Sequence, residues 1–591
     1  MDTQRTILWF VFGLSLILLW DRWQTHQGHS SMLPTAVTTP ASPPAPAASS
    51  GQAHTGAGPV PEAPAPATPA GSGAVGEVAA GAPSASGERV RIQTDVIRAE
   101  FDTQGATLVR VELPEQKPTP DWTGEGLARL LGLRRWLPAS WVGRASSANT
   151  DVVLLDTSAD HIYQQAQSGL TGNTADNPFP NHRLPRFEVS SGPRALADGQ
   201  DALVVRFEAV SGGVRLVKTF TFRRGRYDIE VRHDVTNVGA EAVSPWLYLQ
   251  LLRDGCKSES ESTFARSYTG PALYSDADKY RKISCDDIDK NKAQDLKPAD
   301  NGWTAMEQHY FVAAWAPAKG ILRDFYAQKV DEGYRIGVKL PLGKVEPGAS
   351  ASIPATLYVG PQDQKTLEAI APGLDLVADY GWLTPIAKPL FWLLGALHSV
   401  VGNWGWAIVL LTVLIKAAFY PLSAASYKSM AKMKELQPRL VKLREQYGED
   451  RQKLQLAMME LYKQEKINPL MGCLPVMVQI PVFISLYWVL LASVEMRNAP
   501  WMLWIHDLAT PDPWFVLPVV MMASMWIQYK LNPTPPDPVQ ARMMAIMPFI
   551  FGAMFFLFPA GLVLYWIVNN TLSILQQWRI TKVVARQKQV G

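Results

Sequence analysis

The sequence predicts a polytopic α-helical membrane protein that carries a large antiparallel β-sandwich domain outside the membrane. Three observations predict it. Apolar runs of bilayer-spanning length stand near the start of the chain and again, repeatedly, after Phe391. Between them, from about Arg89 to Gly360, apolar and polar residues alternate with period two. Basic residues gather in one segment between the C-terminal runs and in the tail, and are scarce elsewhere around those runs. A chain of 591 residues exceeds one ordinary domain, and a net charge of +3 leaves no electrostatic footprint for specific nucleic acid.

Taken in order, Thr6 to Trp20 ("TILWFVFGLSLILLW") follows Arg5 and is followed by "DRWQTHQ" instead of a small-residue cleavage site. Residues 1–24 therefore read as an uncleaved anchor, with Trp20 and Trp23 at interface depth. Residues 25–88 are rich in Pro, Ala, Gly and Ser, cannot bury a core, and read as a disordered linker.

Residues 89–371 read as the sandwich. "GVRLVKTFTFRRGRYDIEVRHDVTNVG" shows the pattern best: Val214, Leu216, Phe220 and Phe222 share one face. After a turn at Arg223 to Arg226, so do Tyr227, Ile229, Val231 and Val235, with Asp228, Glu230, Arg232 and Asp234 opposite. His161, His182, His233 and His309 are scattered without metal-ligand spacing, so no metal or other cofactor is expected and a binding or structural domain is the reading. Cys256 and Cys285 fall in this half, compatible with a disulfide or with two free thiols, while Cys473 sits in an apolar run.

Residues 372–399, with Pro385, Pro389, Trp382 and Trp392, read as an amphipathic helix lying on the outer surface. Within 400–580 the expected spans are Val400 to Ala424, Leu470 to Val494, Trp514 to Lys530, Met543 to Phe558 and Gly561 to Ile580, the last two parted only by "PAG" at Pro559 to Gly561. With the anchor this makes six. The segment 426–467 holds ten basic residues, from Lys428 to Lys466, and the tail 581–591 holds Lys582, Arg586 and Lys588 with no acid. Both are therefore placed in the cytoplasm, which puts both termini inside and the sandwich outside. Within 426–467, Met430, Met433, Leu436, Leu440, Leu443 and Tyr447, then Leu454, Met458 and Leu461, recur at steps of three and four. That pattern predicts two antiparallel amphipathic helices, the first kinked at Pro438. Such a basic hairpin suits a ribosome, a nascent chain or anionic phospholipid headgroups, or simply connects two spans.

One residue breaks the apolar pattern. Lys416 stands in "AIVLLTVLIKAAFYPL", Ala407 to Leu422. A central lysine costs an isolated span roughly 2.5–3.5 kcal/mol. It lies towards the cytoplasmic end, so its stem can snorkel. No acid lies in the other spans, so its expected partner is water, phospholipid or a carboxylate brought by a substrate. Thr412, one turn earlier, shares its face.

Long strings carry a family resemblance: "DYGWLTPIAKPLFWLLGALHSVVGNWGW" (Asp379 to Trp406), "YPLSAASYKSMAKMKELQPRL" (Tyr420 to Leu440), "NPLMGCLPVMVQIPVFISLYWVL" (Asn468 to Leu490), "WIHDL" (Trp504 to Leu508) and "FPAGLVLYWIVNN" (Phe558 to Asn570). "YQQAQSGLTG" (Tyr163 to Gly172) and "YTGPALYSDADKY" (Tyr268 to Tyr280) extend it into the sandwich. The chain resembles the YidC family of membrane protein insertases of Gram-negative bacteria, relatives of the mitochondrial and chloroplast inner-membrane insertases. The resemblance implies a β-supersandwich in the periplasm and, in the inner membrane, a five-helix insertase core with a hydrophilic groove open to the cytoplasm.

The groove's cation falls on Lys416, where most bacterial members have arginine. Its threonine falls on Thr412 and its aromatic pair on Tyr565 and Trp566, the second usually tyrosine. Apolar surfaces along which a client slides fall on Met477, Ile480, Phe483, Met547 and Phe551. The segment Thr123 to Gly143 resembles nothing in the family. Implied partners are nascent inner-membrane proteins, the Sec translocon with its accessory subunits, and a ribosome or targeting receptor at the cytoplasmic hairpin. The expected function is insertion and chaperoning of inner-membrane proteins without covalent catalysis. The alternatives are a secondary transporter or channel with Lys416 as its ion site, and a sugar-active enzyme built on the sandwich.

Overall fold

The computed structural model describes residues 87–117, 151–157, 164–172, 184–256, 268–293, 295–330, 333–447, 450–465, 474–532 and 538–590. The expected anchor, nearly all of the linker, the segment Thr123 to Gly143 and Cys473 lie outside them.

Among the described residues the period-two half forms two antiparallel sheets, one of eight strands and one of nine. The hairpin Val214–Arg223 with Asp228–Asn237 pairs Phe220 with Val231 and Phe222 with Ile229, and Gly225, at φ +67°, supplies the left-handed residue of its turn. Its apolar face turns inward as expected. Phe101, from the strand Arg98–Asp102 of the other sheet, meets the rings of Phe207, Phe220 and Phe222 at 5.2, 4.7 and 6.4 Å, so one aromatic cluster joins the two layers.

The alternation also carries Lys218 and His233 inward, paired across the same hairpin and both fully buried. Burial without hydrogen bonds would be costly, and both side chains find partners in the opposite sheet. Lys218 Nζ donates to the carbonyls of Gly105 and Ser168 at 2.6 and 2.5 Å, and His233 Nε2 lies 2.9 Å from Ser168 Oγ. Burial pushes the Lys218 amine down to about 7. Burial, with Lys218 beside it, pushes His233 down to about 3.

The C-terminal half is helical: α1 (Thr384–Val401), α2 (Trp404–Ala418), α3 (Tyr420–Tyr447), α4 (Arg451–Gln464), α5 (Leu474–Ala492), α6 (Val516–Leu531), α7 (Pro538–Met554) and α8 (Ala560–Val590). Several boundaries differ from the sequence expectation, each for a local reason. The helix α1 runs past residue 399 to Val401 because Gly402, at φ +67°, is its stop and bonds back to the His398 carbonyl. Asn403 then caps α2 by accepting from the Trp406 N–H at 3.1 Å. The single span expected over Val400 to Ala424 is instead two helices meeting at a 67° bend after Ala418. Pro421, whose missing N–H costs nothing in a first turn, opens α3 just beyond that bend. α3 then continues to Tyr447 with Pro438 inside it. The tail is continuous with α8, which reaches Val590. At "PAG" the Ala560 and Gly561 N–H groups donate to the carbonyls of Thr510 and Leu508 at 2.7 and 2.9 Å, pinning the turn to the preceding loop.

Among the described residues no single helix is both long and apolar enough to cross a membrane, and only the bent pair α2–α3 passes that test together. The sandwich reaches the helices through Lys282 Nζ, 2.7 Å from Asp379 Oδ2, and through His309 Nε2, 3.1 Å from the Leu491 carbonyl at the end of α5.

A pH dependence follows from Lys218. Its folded pKa lies below the ordinary value of 10.5, so the unfolded chain binds more protons from about pH 7 upward. Stability from this group therefore rises with pH through that window, by up to about 1.4 kcal/mol per pH unit. Thermal midpoints of the detergent-solubilised protein, measured between pH 7 and pH 10, are expected to climb relative to those of Lys218→Met. Parallel curves would exclude the buried amine as the cause.

Candidate functional site: a polar stripe on the last helix

Lys416 lies in the last turn of α2, where the exposed carbonyls of a helix C-terminus favour a cation. Its side chain is buried, and Nζ donates to Ser573 Oγ of α8 at 2.7 Å. Ser573 spends its own proton on the Asn569 carbonyl, also at 2.7 Å, which leaves its lone pairs for the ammonium. Tyr427 of α3 hydrogen-bonds the same serine. Among the described residues Lys416 has no carboxylate partner. The expectation that its partner comes from outside the chain is thus corrected in part: a neutral hydroxyl of the last helix holds it, and the charge itself is left unbalanced. Thr412 shares the buried face, but its hydroxyl donates to the Ile408 carbonyl at 2.7 Å.

On α8, Tyr565, Asn569, Ser573 and Gln577 stand four residues apart and are all buried, forming one inward-facing polar stripe. Each neighbouring helix reaches it. Gln479 of α5 donates to Asn569 Oδ1 and, at 3.5 Å, to the Tyr565 hydroxyl. Asn570 Nδ2, beside the stripe, donates to Ser524 Oγ of α6 at 3.2 Å. Gln577 Nε2 donates to Asn532 Oδ1 just beyond α6 at 3.1 Å.

Phe483 of α5 packs on the aromatic pair, with ring centroids 6.3 Å from Tyr565 and 4.7 Å from Trp566. The apolar residues expected on the sliding surfaces lie on α5 and α7. Met477 and Ile480 on α5, and Met547 and Phe551 on α7, are exposed, whereas Phe483 belongs to the ring cluster. The Trp566 indole N–H is buried with no partner among the described residues.

Sequence reasoning missed Gln479, Ser524, Asn569, Asn570, Ser573 and Gln577. On α8 the signal is present as hydroxyls and amides at steps of four, but such neutral groups do not announce themselves as partners of a cation until the facing helix is known. In the sandwich, Cys256 and Cys285 are joined in a disulfide, which resolves the two readings left open above. The sandwich also holds a cavity of about 710 Å³ lined by Arg206, Thr219, Arg232, Tyr274, Asp300 and Lys319 among others, a mixed-charge set with no evident catalytic pairing.

Residues 396–588 match the family of the 60Kd inner membrane protein, and residues 144–393 match the YidC periplasmic domain. The membrane protein insertase YidC of Cupriavidus metallidurans is 50% identical over 590 residues, covering 100% of this chain and 99% of the other. That of Bordetella avium is 53% identical over 599 residues, covering 99% of each. The chain belongs to the YidC family of membrane protein insertases. It is accordingly an inner-membrane protein with a periplasmic domain, and the sandwich is that domain. A solved YidC insertase with its first transmembrane domain resolved aligns with 83% of this chain and 92% of its own at 17% identity and a TM-score of 0.36, too loose a likeness to transfer detail.

The disulfide makes a direct prediction for this family member. Of its three cysteines, one is expected to take up a maleimide when the protein is unfolded without reductant, and three after reduction. Three adducts before reduction, read by mass, would contradict the bond.

Proposed function

We infer that this insertase inserts inner-membrane proteins and assists their folding by lending a client a charged, hydrogen-bonding path through an apolar core. The observation that carries the reading is Lys416, a buried cation held by the neutral Ser573 with no carboxylate beside it among the described residues. Such a charge attracts an acidic residue in the short polar segment a client must pass across the membrane. Thr412, Tyr565 and Trp566 line this hydrophilic groove, open to the cytoplasm. The client's apolar span leaves along Met477 and Ile480 on α5 and Met547 and Phe551 on α7, with Phe483 at the margin. Partition of that span into lipid supplies the driving force.

In this reading the chain crosses the membrane six times with both termini cytoplasmic. The crossings are the anchor 1–24, α2 with the start of α3, and α5 to α8, while α1 lies on the outer surface. The hairpin of α3 and α4 faces the ribosome or a targeting receptor, the periplasmic sandwich faces the Sec translocon's accessory subunits, and phospholipid borders the groove. The insertase works alone or with that translocon.

An ion pair at about 4 Å in an effective dielectric of ~20 amounts to roughly 4 kcal/mol, ample for a tenfold effect. Lys416→Arg is therefore expected to support insertion of a small coat-protein-like client in a depletion strain. Lys416→Ala is expected to lower insertion about tenfold, most for clients with acids in the translocated segment. Equal insertion by Lys416→Ala and the unmodified protein would remove the charge from the account.

A further inference from the structure

The seam between α5 and α8 is closed by two side-chain amides that each use half of their capacity. Gln479 Nε2 donates to Asn569 Oδ1. Gln479 Oε1 and Asn569 Nδ2 have no hydrogen-bond partner among the described residues, and neither atom is fully enclosed by protein. One acceptor and one donor are thus left over on a single amide pair. The flanking Met477 and Ile480 are exposed, so the pair borders the apolar strip of α5.

One residue of an extended chain turns its N–H and its C=O to the same side, and so has the complementary set. A client segment that enters an apolar core before it is helical carries such groups unpaired, and each is costly there. We propose that Gln479 and Asn569 form a receptor for the backbone N–H and C=O of one extended residue of the entering client. The client N–H donates to Gln479 Oε1 and its C=O accepts from Asn569 Nδ2. This rests on the insertase reading above and adds a component to it: Lys416 selects acidic side chains, whereas the amide pair binds what every polypeptide shares. A residue held here exchanges its bonds for helical ones as the span folds into lipid.

The test uses the full-length protein in liposomes and clients in which one backbone amide of the polar segment is replaced by an ester, deleting a single N–H. At one position the ester is expected to slow insertion on the order of tenfold. In the double variant Gln479→Leu with Asn569→Leu, the unmodified client is expected to insert about tenfold more slowly, and the ester to make no further difference. An equal ester penalty in both proteins, or full-rate insertion by the double variant, would overturn the proposal. Should the double variant fail to fold, the ester scan alone decides, since no sensitive position in the unmodified protein also overturns it. Lys416→Ala serves as the separating arm. It should keep the ester penalty while losing the preference for acidic clients, and full insertion by Lys416→Ala defeats the charge reading without touching the amide pair.

Discussion

A cation in a fifteen-residue apolar helix must be satisfied from somewhere, and the helical half of this protein is arranged around how that is done. Among the described residues no carboxylate neutralises Lys416. It is hydrogen-bonded by Ser573, whose own proton is committed to the Asn569 carbonyl one turn back. A carboxylate in that place would quench the charge and make a structural ion pair. A back-bonded serine steadies the ammonium while leaving its field available.

The same logic extends along α8. Its polar residues recur every fourth position and receive α2, α3, α5 and α6 in turn, so the last helix acts as a polar hub inside an apolar bundle. Interhelical hydrogen bonds in such surroundings are individually modest, because alternatives also exist before the helices associate. That modesty suits a seam whose bonds can be exchanged. The rigid elements lie elsewhere. The sandwich is locked by an aromatic cluster and by Lys218 bonded into the opposite sheet, and its His309 meets the end of α5, the helix that bears Gln479.

Much of this was legible in the sequence because periodicity is a physical signal. The hairpin from Val214 to Asn237 wrote its inward face plainly, and the inward Lys218 and His233 follow from the same count even though their chemistry does not. Gly402 and Asn403 show how a two-residue stop and start, a left-handed glycine followed by a capping amide, moves a boundary that hydropathy alone puts at Val400. The bend after Ala418 was hidden because apolar composition continues through it, and only Pro421 hints at a new helix start. The site was half legible. A lone lysine in an apolar run announces itself, but Ser573 and Asn569 are ordinary residues whose meaning depends on which helix faces which. The disulfide was undecidable for a like reason, since bonding requires the approach of two distant segments.

The central claim is that a client passes along the seam beside Lys416, and site-specific photo-crosslinking to a stalled nascent membrane protein tests it most directly. Probes at Thr412 and Met477 report the seam and its apolar margin, and a probe at Leu575, exposed on α8, serves as the comparison. Adducts are expected from 412 to the client's polar segment and from 477 to its apolar span, with little from 575. Adducts of equal yield from all three positions, or from 575 alone, would contradict it.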